Sequence, residues 1–261
     1  MNEILDGVRI ALCLGFLIYA SWSDYKTREV SNWVWVILAP SAFALTSIQL
    51  FMFAPESLFI FALSFGVTSA LSLALFYGGA FGGADAKALM CLSLAIPFYP
   101  ASFSQPYSRF VSPLFPITVF SNAVLMAALS VFYAVLRNYV WKYKTGNRLF
   151  EGFEKESGWR KLVVFISGYK VGITELKKKE HLYPLEDFSE NERKLLVVPK
   201  DEVRSEVVER IQKAKREGKL QNGVWATPGL PLLIFVTVGL IVALIYGDIV
   251  WAIIRSTLGY S

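Results

Sequence analysis

The 261-residue sequence has one histidine, His181, and two cysteines, Cys13 and Cys91, which lie far apart in apolar runs and form no Cys-x-x-Cys pair. A zinc site of the usual Cys/His kind therefore lacks a ligand set. A disulfide framework is equally excluded, and the two thiols read as small buried apolar side chains. Charge is also scarce: Asp, Glu, Lys and Arg make up 18% of the chain, while hydrophobic residues reach 54%. Ordinary soluble domains carry about 25% charged residues. There is no internal repeat, no low-complexity stretch and no Gly-Lys-Ser/Thr phosphate loop. These absences exclude a disordered chain, a fibre and a secreted disulfide scaffold. They describe a polytopic membrane protein with a polar part attached.

The charges locate that part. Residues 138–227 hold 19 of the 26 Lys/Arg and 14 of the 21 Asp/Glu, while the remaining 171 residues hold 7 of each sign. The whole net charge of +5 thus belongs to one stretch. A basic domain beside a membrane is drawn to anionic lipid headgroups. Its interspersed acids and lack of a recognition motif argue against nucleic acid as a partner.

A bilayer crossing takes about 20 apolar residues. Six runs qualify, at about 7–22, 32–53, 57–77, 84–100, 113–137 and 228–253. The expected fold class is therefore mainly α. It is a membrane core of helices one to five in 1–137, a basic α+β domain in 138–227, and a sixth helix with its tail in 228–261. The acidic leader MNEILD and the lack of a small-x-small cleavage site make the first run a retained helix rather than a signal peptide. Pro40 in the second run predicts a kink rather than a break. Lys26, Arg28, Lys87 and the 138–227 domain all fall on one side of the membrane. The opposite loops carry only Arg109, with Arg9 and Arg255 near the termini. The positive-inside rule makes the basic side cytoplasmic and puts both termini outside. In the polar domain, 159–166 and 193–199 read as β-strands from their Val, Ile, Leu and Phe content. Residues 201–217 read as a helix stopped by Gly218.

Carboxylates near or within a membrane are costly and therefore informative. Glu3, Asp6, Glu56 and Asp248 read as solvated helix ends. Asp24 and Asp85 differ, because Asp24 ends the first helix and Asp85 begins the fourth, after the glycine-rich turn YGGAFGGADAK (77–87). Hydropathy and loop charge, used without reference to these acids, put both at the same membrane depth. At about 4 Å and an effective dielectric of 20, two carboxylates repel by roughly 4 kcal/mol. One is then ionised and activates water while the other stays protonated and donates to a scissile carbonyl. Such a pair cleaves a peptide without metal or cofactor, and none is expected. The glycines of the turn permit close approach of an extended backbone. Glu29, in the turn after the first helix, is a candidate for attracting a basic segment. Lys26, Arg28 and Lys87 read as headgroup anchors.

With both motifs in view, the chain resembles the preflagellin (prearchaellin) peptidases of archaea. These membrane aspartic proteases are related to type IV prepilin peptidases and share a glycine-aspartate motif with presenilin-like proteases. The family motif G-x-hydrophobic-D is similar to Gly82-Gly83-Ala84-Asp85. The first family aspartate, in D-x-[KR]-x-[KR]-x-[IV]-P-N, is similar to Asp24, Lys26, Arg28, Val30 and Asn32, with Ser31 where proline is common. A third stretch, GVWATPGLPLLIFV (223–236), looks like the entry to the last helix in archaeal members with a cytoplasmic insertion. The resemblance implies catalytic Asp24 and Asp85, with Gly82, Gly83, Ala84 and Glu29 shaping the loop or binding substrate. It implies an archaellin or type IV pilin-like precursor as partner, cut after a short basic leader at the cytoplasmic face. With neither the two Cys-x-x-Cys pairs nor the N-terminal domain of many bacterial relatives, no N-methyltransferase activity is expected. Two readings compete with the peptidase: a carboxylate/Mg²⁺-dependent lipid phosphotransferase, and a non-enzymatic transporter or assembly scaffold.

Overall fold

A computed structural model describes residues 2–103, 106–179, 181–189, 192–197, 204–220, 223–229 and 231–258. The chain divides into two compact units, Met1–Ala127 with Pro231–Ser261, and Ala128–Leu230.

The first unit is a helical bundle. Its long helices are α1 (Asn2–Thr27), α2 (Asn32–Phe53), α3 (Leu58–Tyr77) after a 3₁₀ turn at Pro55–Ser57, and the first part of α5 (Phe115–Thr145). At 1.5 Å per residue α1, α2 and α3 each reach the roughly 30 Å of a hydrocarbon core, and α5 exceeds it over its whole length. Among the described residues four helices are thus long and apolar enough to cross a membrane, and up to five spans result if the bent pair α9 (Leu232–Ile245) and α10 (Ile249–Thr257) counts as one. Their outward faces carry large apolar side chains such as Trp33, Ile37, Phe43, Phe51 and Phe59. The buried face of α3 instead consists of Ser64, Thr68 and Ser72. Small residues on the inner face and bulky ones outside is the pattern expected where lipid, not water, is the solvent.

Two expected spans come out differently. The run 84–100 forms only the 13-residue α4 (Gly83–Ala95), about 20 Å at 1.5 Å per residue. Pro97 and Pro100 stop it. Packing on α1, α2, α3 and α9 buries it, so its length is not set by a lipid-facing surface. The run 228–253 is broken, with α9 and α10 meeting at 61°. Gly247 makes the break with φ +96°, and a Cβ there would strike Phe110 O and Ser108 Oγ. Buried Asn122 bridges it, donating to Gly247 O at 2.8 Å and accepting from Ile249 N at 3.0 Å. Described parts of the 96–114 segment fold into the same end of the bundle. Tyr107 N donates to Ile245 O and Ser108 N to Tyr246 O, so the carbonyls left open by the short α9 are satisfied there.

That end also corrects the reading of two acids as solvated. Asp6 is 1% exposed and pairs with Arg9, itself 1% exposed. Gln49 Nε2 donates to Asp6 at 2.9 Å and Ser102 N at 3.2 Å, while Arg9 Nη1 donates to Thr46 Oγ1 at 3.2 Å. Asp248, also buried, accepts from Trp251 N and caps α10. Arg9 is only three residues from Asp6, but the Gln49 and Ser102 donors that complete its burial come from 43 and 96 residues away and have no local sequence signal.

The second unit pairs β1 (Tyr169–Val171) and β2 (Leu182–Pro184) antiparallel on either side of β5 (Val224–Pro228). A hairpin of β3 (Glu186–Ser189) and β4 (Glu192–Leu195) lies beside it. The strand expected at 193–199 is thus β4, and residues 198 and 199 lie outside the described residues. The helix expected over 201–217 is α8 (Arg204–Arg216), with 201–203 outside them. It packs Val207, Val208 and Ile211 into a core with Leu176, Leu182 and Val224. The strand expected at 159–166 is instead α6 (Gly158–Ser167). Trp159, Leu162, Val163 and Ile166 follow helical i, i+3, i+4, i+7 spacing, which outweighs the β-branched content of the run. A short helix, α7 (Ile173–Lys178), follows β1. Lys170, the middle residue of β1, is buried, and that burial drives its ammonium pKa down to about 8, against the opposing pull of Glu186. Its Nζ donates to Gly223 O at 2.9 Å.

Candidate active site

The site is built where α1 stops and α4 starts. Arg28 ends α1, its backbone at φ +60° and its N–H on Asp24 O at 3.0 Å. The turn into α2 is then braced by hydroxyls. Ser23 Oγ donates to Glu29 O at 2.7 Å and Thr27 Oγ1 to Ser23 O at 2.9 Å. One turn before Asp24, Ser21 Oγ meets Thr237 Oγ1 of α9 at 2.8 Å, and Thr237 in turn bonds Leu233 O. Asp24 is therefore carried on a helix end pinned to α9 on one side and to its own turn on the other.

Asp85 sits in the first turn of α4, where its Oδ2 accepts from the Gly82 N–H at 3.0 Å. A carboxylate at this position satisfies one of the orphan donors of the helix start. The turn before it closes on Gly79, at φ +74°, a conformation that favours glycine. Gly82 has an ordinary φ, and its requirement is space. A Cβ there would lie 3.1 Å from Asp85 Oδ2. Gly83 has room, its nearest neighbour being Phe76 at 3.7 Å, and Ala84 packs on the bundle core.

Lys87 Nζ, two residues beyond Asp85, donates to Asn32 Oδ1 at 2.7 Å. That bond joins the start of α4 to the first residue of α2 and gives Lys87 a structural partner within the bundle. It also shows that the α1–α2 turn and the start of α4 share one end of the bundle. Asp24 and Asp85 thus lie at the same end of the bundle, on helices that pack on each other. Among the described residues no hydrogen bond joins the two carboxyls, and both are only partly exposed. Lys26 stacks its ammonium 4.5 Å from the Trp22 ring. Glu29 is exposed, and the turn uses its backbone carbonyl.

Two carboxyls without an intervening base, at the mouth of a buried helix start, suit a reaction in which one activates water and the other protonates a leaving group. Among the described residues no group of three or more His, Cys, Asp or Glu is disposed to hold a metal ion. Sequence reasoning missed Ser21, Ser23 and Thr237, and placed Asn32 in the Asp24 motif without a structural role. Asn32 had a signal, since it closes the same short segment as Asp24. Thr237, 216 residues from Ser21, had none.

Residues 11–131 match the family model described as type IV leader peptidase family. Residues 160–249 match one described as archaeal peptidase A24 C-terminus type II. The chain is similar to a preflagellin peptidase of Methanococcus voltae, 27% identical over 94% of this chain and 98% of the relative. It is also similar to the preflagellin peptidases of Methanocaldococcus jannaschii (25%, over 93% and 95%) and Methanococcus maripaludis (23%, over 89% and 92%).

Proposed function

As the chain belongs to the type IV leader peptidase family, we propose that it removes the leader peptide of preflagellin-like precursors by aspartyl chemistry at Asp24 and Asp85. What supports the catalytic assignment is that these two acids, 61 residues apart in sequence, lie on packed helices at the end of the bundle where Lys87 of α4 bonds Asn32 of α2. In the reaction the ionised carboxylate takes a proton from water as the water attacks the scissile carbonyl. The protonated one donates to the carbonyl oxygen, and the pair then returns a proton to the departing amine. The empty space beside Gly82 leaves Asp85 open to the extended backbone of the substrate, and exposed Glu29 draws the basic leader towards the turn. Gly83 and Ala84 shape the loop.

The site faces the cytoplasm. Lys26, Arg28 and Lys87 cluster at its end of the bundle, and 19 basic residues follow in 138–227, in keeping with the positive-inside rule. Six crossings then put both termini outside. The fourth is completed beyond α4 by buried residues 96 and 97, where a non-helical backbone is tolerated because protein surrounds it. A precursor with a short basic leader and an apolar helix presents its cleavage point at that same face.

The direct test is to incubate the reconstituted chain with a preflagellin precursor in EDTA and read both products by mass spectrometry. One cut immediately after the leader is expected. An uncut precursor that is processed once Mg²⁺ is restored would refute metal-independent aspartyl chemistry.

A further inference from the structure

The helix that replaced an expected strand leaves an uncovered face. On α6, Trp159 is 62% exposed, Leu162 60% and Ile166 36%, all within one narrow stripe at i, i+3 and i+7 spacing. The opposite side is anchored. Val164 is buried, and the Phe165 ring meets Tyr139 of α5 edge-on at 5.9 Å. Asn138 Nδ2 donates to Phe165 O at 3.0 Å and Gly168 O at 2.8 Å. The apolar stripe is therefore held outward by a fixed helix rather than being the loose side of a frayed one. A water-facing helix rarely carries such a stripe without a partner.

The height of that anchor identifies the partner. Tyr139 follows Phe115, the first residue of α5, by 24 residues, about 36 Å at 1.5 Å per residue. The hydrocarbon core is about 30 Å thick. α6 is thus fixed to α5 just where that helix emerges into the headgroup layer. The neighbouring α5 surface has interfacial character, with exposed Tyr133, Tyr139 and Tyr143 and with Lys142 and Lys144 in the last turn. On α6 itself Arg160 flanks the stripe, paired with Glu156 at 3.3 Å.

We propose that α6 is an in-plane membrane helix. Trp159, Leu162 and Ile166 enter the boundary between acyl chains and headgroups of the membrane the chain itself crosses, and Lys142, Lys144 and Arg160 face anionic headgroups. The inference rests on the membrane-spanning reading given above and assigns a lipid-contact surface within the basic unit.

The test uses the full chain in liposomes containing anionic lipid, with a nitroxide on Leu162→Cys or Ile166→Cys. Cys13 and Cys91 are 0% and 3% exposed and do not compete for the label. Phe43→Cys on the outer face of α2 serves as the lipid reference and Glu209→Cys on α8 as the aqueous one. The expected result is that oxygen relaxes the labels at 162 and 166 more than a water-soluble nickel complex does, with a ratio on the Phe43→Cys side of one. A ratio matching Glu209→Cys, with Phe43→Cys still oxygen-dominated, overturns the proposal and leaves the membrane reading intact. Labels shielded from both reagents also overturn it, since a protein surface then covers the stripe. An aqueous Phe43→Cys refutes the spanning reading and this inference with it.

Discussion

The buried pair of Asp6 and Arg9 allows a quantitative test of how the bundle is held at the end remote from the two candidate catalytic acids. Asp6→Ala removes the acceptor for Arg9, for Gln49 Nε2 at 2.9 Å and for Ser102 N at 3.2 Å, at a site 1% exposed. Truncating one partner of a buried ion pair strands the other charge and costs about 3–5 kcal/mol. Arg9→Met leaves the Asp6 carboxylate with two neutral donors and falls at the lower end of that range. Replacing both at once, as Asp6→Ala with Arg9→Met, strands no charge and is expected to cost less than either single change. The assay is unfolding of the detergent-solubilised protein by increasing denaturing surfactant, with the three variants and wild type forming a double-mutant cycle. Two additive losses of under about 1 kcal/mol each would refute the reasoning, because a solvated pair behaves that way. Peptidase turnover of the folded fraction is expected to be unchanged. Asp6 lies 18 residues before Asp24 on α1, about 27 Å along the axis.

Other consequences follow from particular contacts. Gly82→Ala brings a Cβ to 3.1 Å from Asp85 Oδ2, and a fall in kcat larger than the change in KM is expected, with expression and unfolding midpoint unchanged. Gly247→Ala adds a left-handed penalty of about 1–2 kcal/mol to a clash with Phe110 O and Ser108 Oγ, so a lower unfolding midpoint is expected. Lys170 has a folded pKa of about 8 against an ordinary 10.5, so the folded state sheds its proton first and stability rises with pH across that window. The span corresponds to at most about 3 kcal/mol, and wild type should gain on Lys170→Met by up to that amount between pH 8 and 10.5 in paired unfolding measurements. A constant difference across that range would contradict the assignment.

Long apolar runs made α1, α2, α3 and α5 legible, because crossing a bilayer imposes a length that no other use of such residues requires. Hydropathy and loop charge alone place Asp24 and Asp85 at one depth. The shorter elements were harder to read. α4 is surrounded by other helices, so its ends follow Gly82 and Pro97 rather than a membrane thickness. The break at Gly247 depends on Asn122, 125 residues away. α6 was read as a strand because Val163, Val164 and Ile166 favour β structure, although Trp159, Leu162 and Ile166 carried the helical period. Asp6 and Asp248 looked solvated because Gln49, Ser102 and Ser121, which complete their surroundings beside the nearby Arg9 and Trp251, lie elsewhere in the chain. The same holds for Lys87, whose partner Asn32 is 55 residues earlier.

The central claim is that Asp24 and Asp85 act as one catalytic pair. The most direct measurement compares preflagellin cleavage by wild type, Asp24→Asn, Asp85→Asn and the double variant, in membranes with matched protein levels. Each single variant should lose as much activity as the double, with unfolding midpoints close to wild type, because removing either member disables the same step. A single variant that retains wild-type cleavage would contradict the assignment of that residue and the paired-carboxylate account with it.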